Sequence, residues 1–216
     1  MTRRLTMLAL LLAALGFGLS LGGPFAQTAA PPPPAKPAEG LEVATFAGGC
    51  FWCVEVDFDK MEGVVTTISG FMGGTVKNPS YQRVVAGDTG HLEVVQVSFD
   101  PKKISYQKLV MQFFRTIDPY DDGGQFCDRG QPYRTAVFAH SDAQRAIAER
   151  IKADLDKNGP LKKPLATRVL AASEFTAAED YHQDFYKKSP GRYYSYRAGC
   201  GRDARTEQLW GKKATN

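Results

Sequence analysis

Two cysteines three residues apart, Cys50 and Cys53, enclose Phe51 and Trp52 and follow the glycine pair Gly48-Gly49. A thiol reacts as its thiolate, and a helix N-terminus is one setting that lowers its pKa. The apolar run 41–47 reads as a strand, and the pattern from residue 51 onward reads as a helix. Gly48-Gly49 is then the tight turn that delivers Cys50 to the first helical turn. Cys53, at i+3, falls on the same helical face, roughly 5–6 Å away at the Cα atoms and inside the span a disulfide tolerates. A reactive thiol with a second thiol in reach and two aromatic rings beside it suits redox chemistry on an apolar group. The same residues have plainer uses. A free cysteine is often a small buried hydrophobe, Cys-x-x-Cys is also half of a zinc site, and Phe51 and Trp52 would serve as ordinary core.

The elements that must position these groups follow from periodicity. Strands are expected at 43–47, 64–70, 92–99 and 133–139, each alternating or β-branched. Helices are expected at 51–60 and 105–116, the second with Leu109, Val110, Phe113 and Phe114 at helical spacing. A short helix fits 81–85 within a Gly-rich polar segment. The order β-α-β-β-α-β is the split βαβ arrangement of ferredoxin-like folds, so the expected class is α+β, a two-layer sandwich on a ferredoxin-like core. Beyond that core, Ser141-Asp142 opens a capped helix over 141–157. An extra strand fits 167–171 and a helix fits 176–187. The Gly-, Arg- and Tyr-rich tail 189–210 reads as irregular.

The chain has 216 residues, 43% of them hydrophobic, enough for one domain with a sizeable core. A formal net charge of +4, from 27 basic and 23 acidic residues, is too mild to argue for a nucleic-acid partner. Arg202, Arg205, Lys212 and Lys213 are expected on a solvated face. Residues 1–26 read as a signal peptide or, if uncleaved, a membrane anchor: Arg3-Arg4 precede the uninterrupted apolar and small-residue stretch 5–21. Residues 27–39, rich in proline, read as a stiff linker, and 40–216 as the domain. The expected location is therefore periplasmic, or anchored to the membrane. Four cysteines in an oxidising compartment would by default form two structural disulfides, yet a domain of this length hardly needs such staples.

Six segments, in order, carry a resemblance. They are Gly49-Cys50-Phe51-Trp52, Gly70-Phe71-Met72-Gly73-Gly74, Asn78-Pro79-Ser80-Tyr81, Gly87-Asp88-Thr89-Gly90-His91-Leu92-Glu93, Gln131-Pro132-Tyr133-Arg134-Thr135-Ala136 and Ala178-Glu179-Asp180-Tyr181-His182-Gln183. Together they resemble the A-type peptide methionine sulfoxide reductases over about residues 43–186. The resemblance implies reduction of methionine-S-sulfoxide, free or protein-bound, to methionine, with one enzyme per sulfoxide epimer. It implies Cys50 as nucleophile, Glu93 as acid, and Tyr81 and Tyr133 as phenols holding the sulfoxide oxygen. Phe51 and Trp52 would seat the methyl group, and Asp128 would lie near the substrate backbone. The chemistry agrees with these roles. A sulfoxide sulfur is a poor electrophile until its oxygen is protonated, so the site needs a thiolate, a carboxyl group held protonated by burial, and donors aimed at the oxygen.

A Cys50 sulfenic acid would condense with a second thiol to an intramolecular disulfide, which an external dithiol reduces. Many family members have Gly at the position of Cys53 and resolve through C-terminal cysteines. Here Cys53 is favoured as first resolver, with Cys200 or Cys127 relaying the disulfide outward. The implied partners are oxidised proteins and a thioredoxin-like reductant; no cofactor or metal is implied, and a monomer is expected. Read without the motifs, Tyr81 and Tyr133 would be scaffold tyrosines and Glu93 a residue on the solvent face of a sheet. His91, His140 and His182 are expected in structural or surface roles, and Glu55 as exposed or hydrogen-bonding. Two other classes compete: a general thiol–disulfide oxidoreductase, supported only by the Cys50/Cys53 spacing, and a zinc module using Cys50, Cys53, Cys127 and Cys200.

Overall fold

The computed structural model describes residues 38–212. The leader, and all but the last two residues of the linker, lie outside them. In chain order the elements are β1 (Glu42–Gly48), α1 (Phe51–Asp59), β2 (Val64–Met72), α2 (Tyr81–Val85), β3 (Leu92–Phe99) and α3 (Tyr106–Arg115). Next come the two-residue strands β4 (Gly124–Gln125) and β5 (Asp128–Arg129), a 3-10 turn (Gln131–Tyr133), β6 (Thr135–Ala139) and α4 (Asp142–Asn158). The chain continues with β7 (Arg168–Ala171), β8 (Thr176–Ala177), α5 (Phe185–Lys188), α6 (Pro190–Gly199) and α7 (Arg202–Trp210).

Six strands form one sheet in the order β7-β6-β1-β3-β2-β8, and β4 pairs with β5 as a separate hairpin. The central β6-β1-β3-β2 pairings are all antiparallel, with only β7 parallel to its neighbour β6. This is the expected ferredoxin-like core within an α+β fold. Strand alternation decides which side chains face the helices. On β1, Ala44 and Phe46 join Val54 and Phe58 of α1 and Leu109, Val110 and Phe113 of α3 in the main core. Ala47, on the opposite face, packs in a smaller cluster with Met72, Val94, Phe138 and Phe175. On β3, Val95, Val97 and Phe99 belong to the main core, and Glu93 shares their parity. That places a carboxyl group on the helix-covered face.

Helix starts follow the expected capping chemistry. Ser105 accepts from the Lys108 N–H at 3.2 Å and Ser141 from the Gln144 N–H at 3.2 Å, opening α3 and α4. Three expectations are corrected. Tyr133 is not in a strand: Pro132 cannot donate to a ladder, residues 131–133 form the 3-10 turn, and β6 begins at Thr135. Residues 176–187 are not one helix. Thr176 and Ala177 add to the β2 edge, and the Gln183 side chain bonds Ser69 N–H, Ser69 C=O and Ala178 C=O, so tertiary contacts override local propensity. Residues 189–210 are not irregular but form α6 and α7. Their buried positions, Tyr193, Arg197, Arg202, Thr206 and Leu209, have helical spacing but are mostly polar, so a test for apolar periodicity passes over them.

Candidate active site

Three strand ends converge on the turn between β1 and α1. Gly48 pairs with Thr135 of β6, and Phe71 of β2 with Glu93 of β3. The turn is sterically committed: Gly49 has φ +78°, and a Cβ there would lie 2.5 Å from Gln125 Cβ. Cys50 caps α1, and no side chain of its own caps the helix. Instead the Phe51 N–H, one of the donors left open at a helix start, donates to Glu93 Oε2 at 3.0 Å.

Cys50 and Cys53 are free thiols, 6% and 1% exposed, each within hydrogen-bonding reach of the other. Burial first, then the hydrogen bond and charge of the neighbouring Cys53, push the Cys50 thiol up. Cys53 is pulled down by the Cys50 hydrogen bond and by the Arg202 and Arg197 guanidinium groups. Loss of the first proton from the pair is thus favoured at Cys53, and loss of the second is opposed by burial.

Glu93 is 2% exposed, and burial above all pushes its carboxyl group up to about 8, against the Phe51 and Tyr133 hydrogen bonds. At neutral pH it carries a proton. Tyr133 bonds this carboxyl group and also Tyr81. Burial pushes Tyr81 up to about 12 and raises Tyr133 further, so both phenols stay donors. The result is a thiol, a neutral acid and two hydroxyl donors around one point, the set that sulfoxide reduction needs.

The aromatic wall is built from Phe51 and Trp52. Trp52 stacks on Phe185 of α5 with centroids 3.8 Å apart, and its Nε1–H donates to His182 Nδ1 at 3.1 Å. The buried His182 ring also lies 4.9 Å from Phe51 and 4.3 Å from Tyr81. Burial pushes its pKa down to about 4, so the ring is neutral, and because Nδ1 accepts from Trp52 its proton is assigned to Nε2. His182 thus joins the wall of the site, closer to the chemistry than a general structural role implied. Glu55 is buried and accepts from the Asp184 N–H at 3.2 Å, a hydrogen-bonding role as expected.

Sequence reasoning missed Tyr196 of α6. Its hydroxyl donates to the Asp128 carboxyl group and lies in hydrogen-bonding reach of the Cys50 sulfur, tying Asp128 to the thiol. No motif marked it, because it sits in the tail read as irregular. Arg202 corrects the expectation of a solvated face. It is 1% exposed, donates to Gly48 C=O at 2.8 Å and to Thr116 C=O at 2.9 Å, and covers the Phe126 ring at 4.4 Å. Arg197 bridges Asp57 and Asp203 and donates to the Tyr193 hydroxyl at 2.9 Å.

Cys200, expected to relay the disulfide outward, is itself already paired. It stands at the junction of α6 and α7, joined by a disulfide to Cys127, whose side chain is exposed. A four-thiolate zinc site would need those two sulfurs apart. The groove of about 500 Å³ beside α3, α4 and α7, lined by Met111, Phe114, Leu155 and Trp210 among others, contains none of these chemical groups.

A buried dithiol, a protonated carboxyl group and paired phenols on a ferredoxin-like sheet define a thiol-dependent reductase of small polar groups carried on apolar side chains. A family model described as peptide methionine sulfoxide reductase matches residues 42–214. The chain is 50% identical over 176 residues to the peptide methionine sulfoxide reductase MsrA of Bacillus licheniformis, covering 82% of this chain and 97% of the relative. It is 52% identical over 183 residues to the MsrA 2 enzyme of Rhizobium meliloti, covering 84% and 89%. Among solved structures, reduced Mxr1 from Saccharomyces cerevisiae has a TM-score of 0.66 at 34% identity, covering 70% of this chain and 87% of that one. Methionine sulfoxide reductase A of Corynebacterium diphtheriae has a TM-score of 0.63 at 30% identity, covering 70% and 76%. The chain belongs to the peptide methionine sulfoxide reductase family.

Proposed function

We propose that this protein reduces methionine-S-sulfoxide to methionine, and that Cys50, Glu93, Tyr81 and Tyr133 carry the reaction. The observation that carries the reading is the buried Glu93, which accepts from the Phe51 N–H on the same turn as Cys50. The substrate's S-methyl group rests against Phe51 and Trp52. Tyr81 and Tyr133 donate to the sulfoxide oxygen, and Glu93 gives it a proton as Cys50, its own proton passed to Cys53 along their hydrogen bond, attacks sulfur. The protonated oxygen then passes from the substrate sulfur to Cys50: the substrate S–O bond and the sulfur–sulfur bond formed in the attack both break, methionine leaves, and Cys50 carries a sulfenic acid. Asp128, oriented by Tyr196, accepts from the backbone N–H of the substrate residue.

Cys53 then attacks the sulfenic acid, giving a Cys50–Cys53 disulfide and water. A macromolecular dithiol cannot reach sulfurs this deeply buried, which also argues against general exchange with protein disulfides. The Cys127–Cys200 pair supplies the exit. After an external dithiol reduces it, Cys200 attacks Cys53 and frees Cys50, and Cys127 then takes Cys200 back into their disulfide, freeing Cys53. The reductant is a thioredoxin-like dithiol. The leader read in residues 1–26 supports a location outside the cytosol for both proteins, and the domain acts as a monomer on oxidised proteins.

Counting methionine released without reductant tests this directly. Protein with the Cys127–Cys200 disulfide intact is expected to release one methionine per chain and stop. Fully reduced protein is expected to release two, and fully reduced Cys200→Ser one. Release of none by folded wild type, or sustained turnover with no dithiol, contradicts the proposal.

A further inference from the structure

The family motif containing His182 begins a turn of chain whose most exposed ring has no part in the chemistry above. Tyr181 is 53% exposed, although the adjacent His182 is buried. Its ring centroid lies 4.1 Å from that of His182, which in turn lies 4.3 Å from Tyr81. Tyr181 is therefore one ring outward from the well that holds Cys50, with its other face open to water. The Gln82 side chain hydrogen-bonds its hydroxyl from the start of α2, so the ring is held at its His182 side and at its tip.

A methionine sulfoxide side chain that brings its sulfur to Cys50 leaves its own backbone at the mouth of the well. In a polypeptide the flanking Cα atoms are then only about 3.8 Å further along, over the rim. A fixed tyrosine with one free face suits an apolar or aromatic neighbour at low entropic cost. The free amino acid has no such neighbour.

Building on the reductase reading, we propose that Tyr181 is a specificity-determining residue, a platform for the side chain flanking an oxidised methionine in a polypeptide. It favours unfolded or flexible segments with an apolar or aromatic neighbour over free methionine sulfoxide. The alternative role for the ring is to shield His182 from water. That role would affect every substrate alike, because His182 holds Trp52 in the wall.

The test compares wild type, Tyr181→Ala and Tyr181→Phe on free methionine-S-sulfoxide and on a short peptide carrying it beside phenylalanine, with dithiothreitol as reductant. For Tyr181→Ala, kcat/KM on the peptide is expected to fall about tenfold, mostly through KM, the effect of removing one aromatic pair. The value for the free amino acid should stay within about twofold, and Tyr181→Phe should keep most of the peptide preference. Equal losses on both substrates, or no loss on the peptide, overturn the inference. A wild type inert toward both would instead overturn the reductase reading, and this inference with it.

Discussion

Replacing Glu93 by Gln is expected to lower kcat/KM for methionine-S-sulfoxide by about 10²- to 10⁴-fold, the range of a positioned general acid. The amide still accepts from the Phe51 N–H and still donates a hydrogen bond, so the fold and the α1 start survive, but it has no proton to give. The pH profile carries the sign. The carboxyl group is pushed up to about 8 by burial, and only its protonated form acts. Wild-type kcat/KM should therefore fall as pH rises through about 8, with the loss approaching tenfold per pH unit beyond it. At low pH the profile should fall as the cysteine pair takes up its second proton. In Glu93→Gln the alkaline limb at about 8 should vanish along with most of the rate. Steady-state kinetics between pH 5 and about 10 on folded variants measures both effects. A variant with wild-type rates would remove Glu93 from the mechanism.

The second large effect concerns folding. Arg202→Met should destabilise the protein by about 3 kcal/mol, because the buried carbonyls of Gly48 and Thr116 both lose their donor, at roughly 1–3 kcal/mol each. Methionine roughly fills the volume, so the loss reports hydrogen bonding and charge rather than a cavity. Arg202→Lys should not restore stability fully, since one ammonium group cannot reproduce a planar fork spanning two carbonyls and stacking on Phe126. Urea unfolding monitored by circular dichroism measures this, with a lower midpoint at unchanged slope. An unchanged midpoint would mean that α7 does not anchor the β1–α1 turn.

These two residues show what could be read from the chain and what could not. Glu93 was legible only through its motif. On a strand, parity fixes which residues share a face, but not which face the helices cover, and only the packed α1 makes this carboxyl group buried. The ferredoxin-like core was legible because its strands alternate and α3 has an apolar stripe. Arg202, Arg197 and Tyr196 were not, because the faces of α6 and α7 turned inward are polar. Their burial is offset by carbonyls, carboxylates and rings contributed from elsewhere in the chain. The Cys127–Cys200 pairing depends on how the β4–β5 hairpin meets the α6–α7 junction. Spacing of 73 residues carries no such information.

The most direct measurement follows each methionine sulfoxide epimer separately with dithiothreitol as reductant, for wild type and for Cys50→Ser. Consumption of the S epimer alone, abolished in Cys50→Ser, is the predicted result. A folded wild type that reduces neither epimer, or a Cys50→Ser variant that retains the activity, would contradict the central claim that this turn of chain is a sulfoxide-reducing site with Cys50 as its nucleophile.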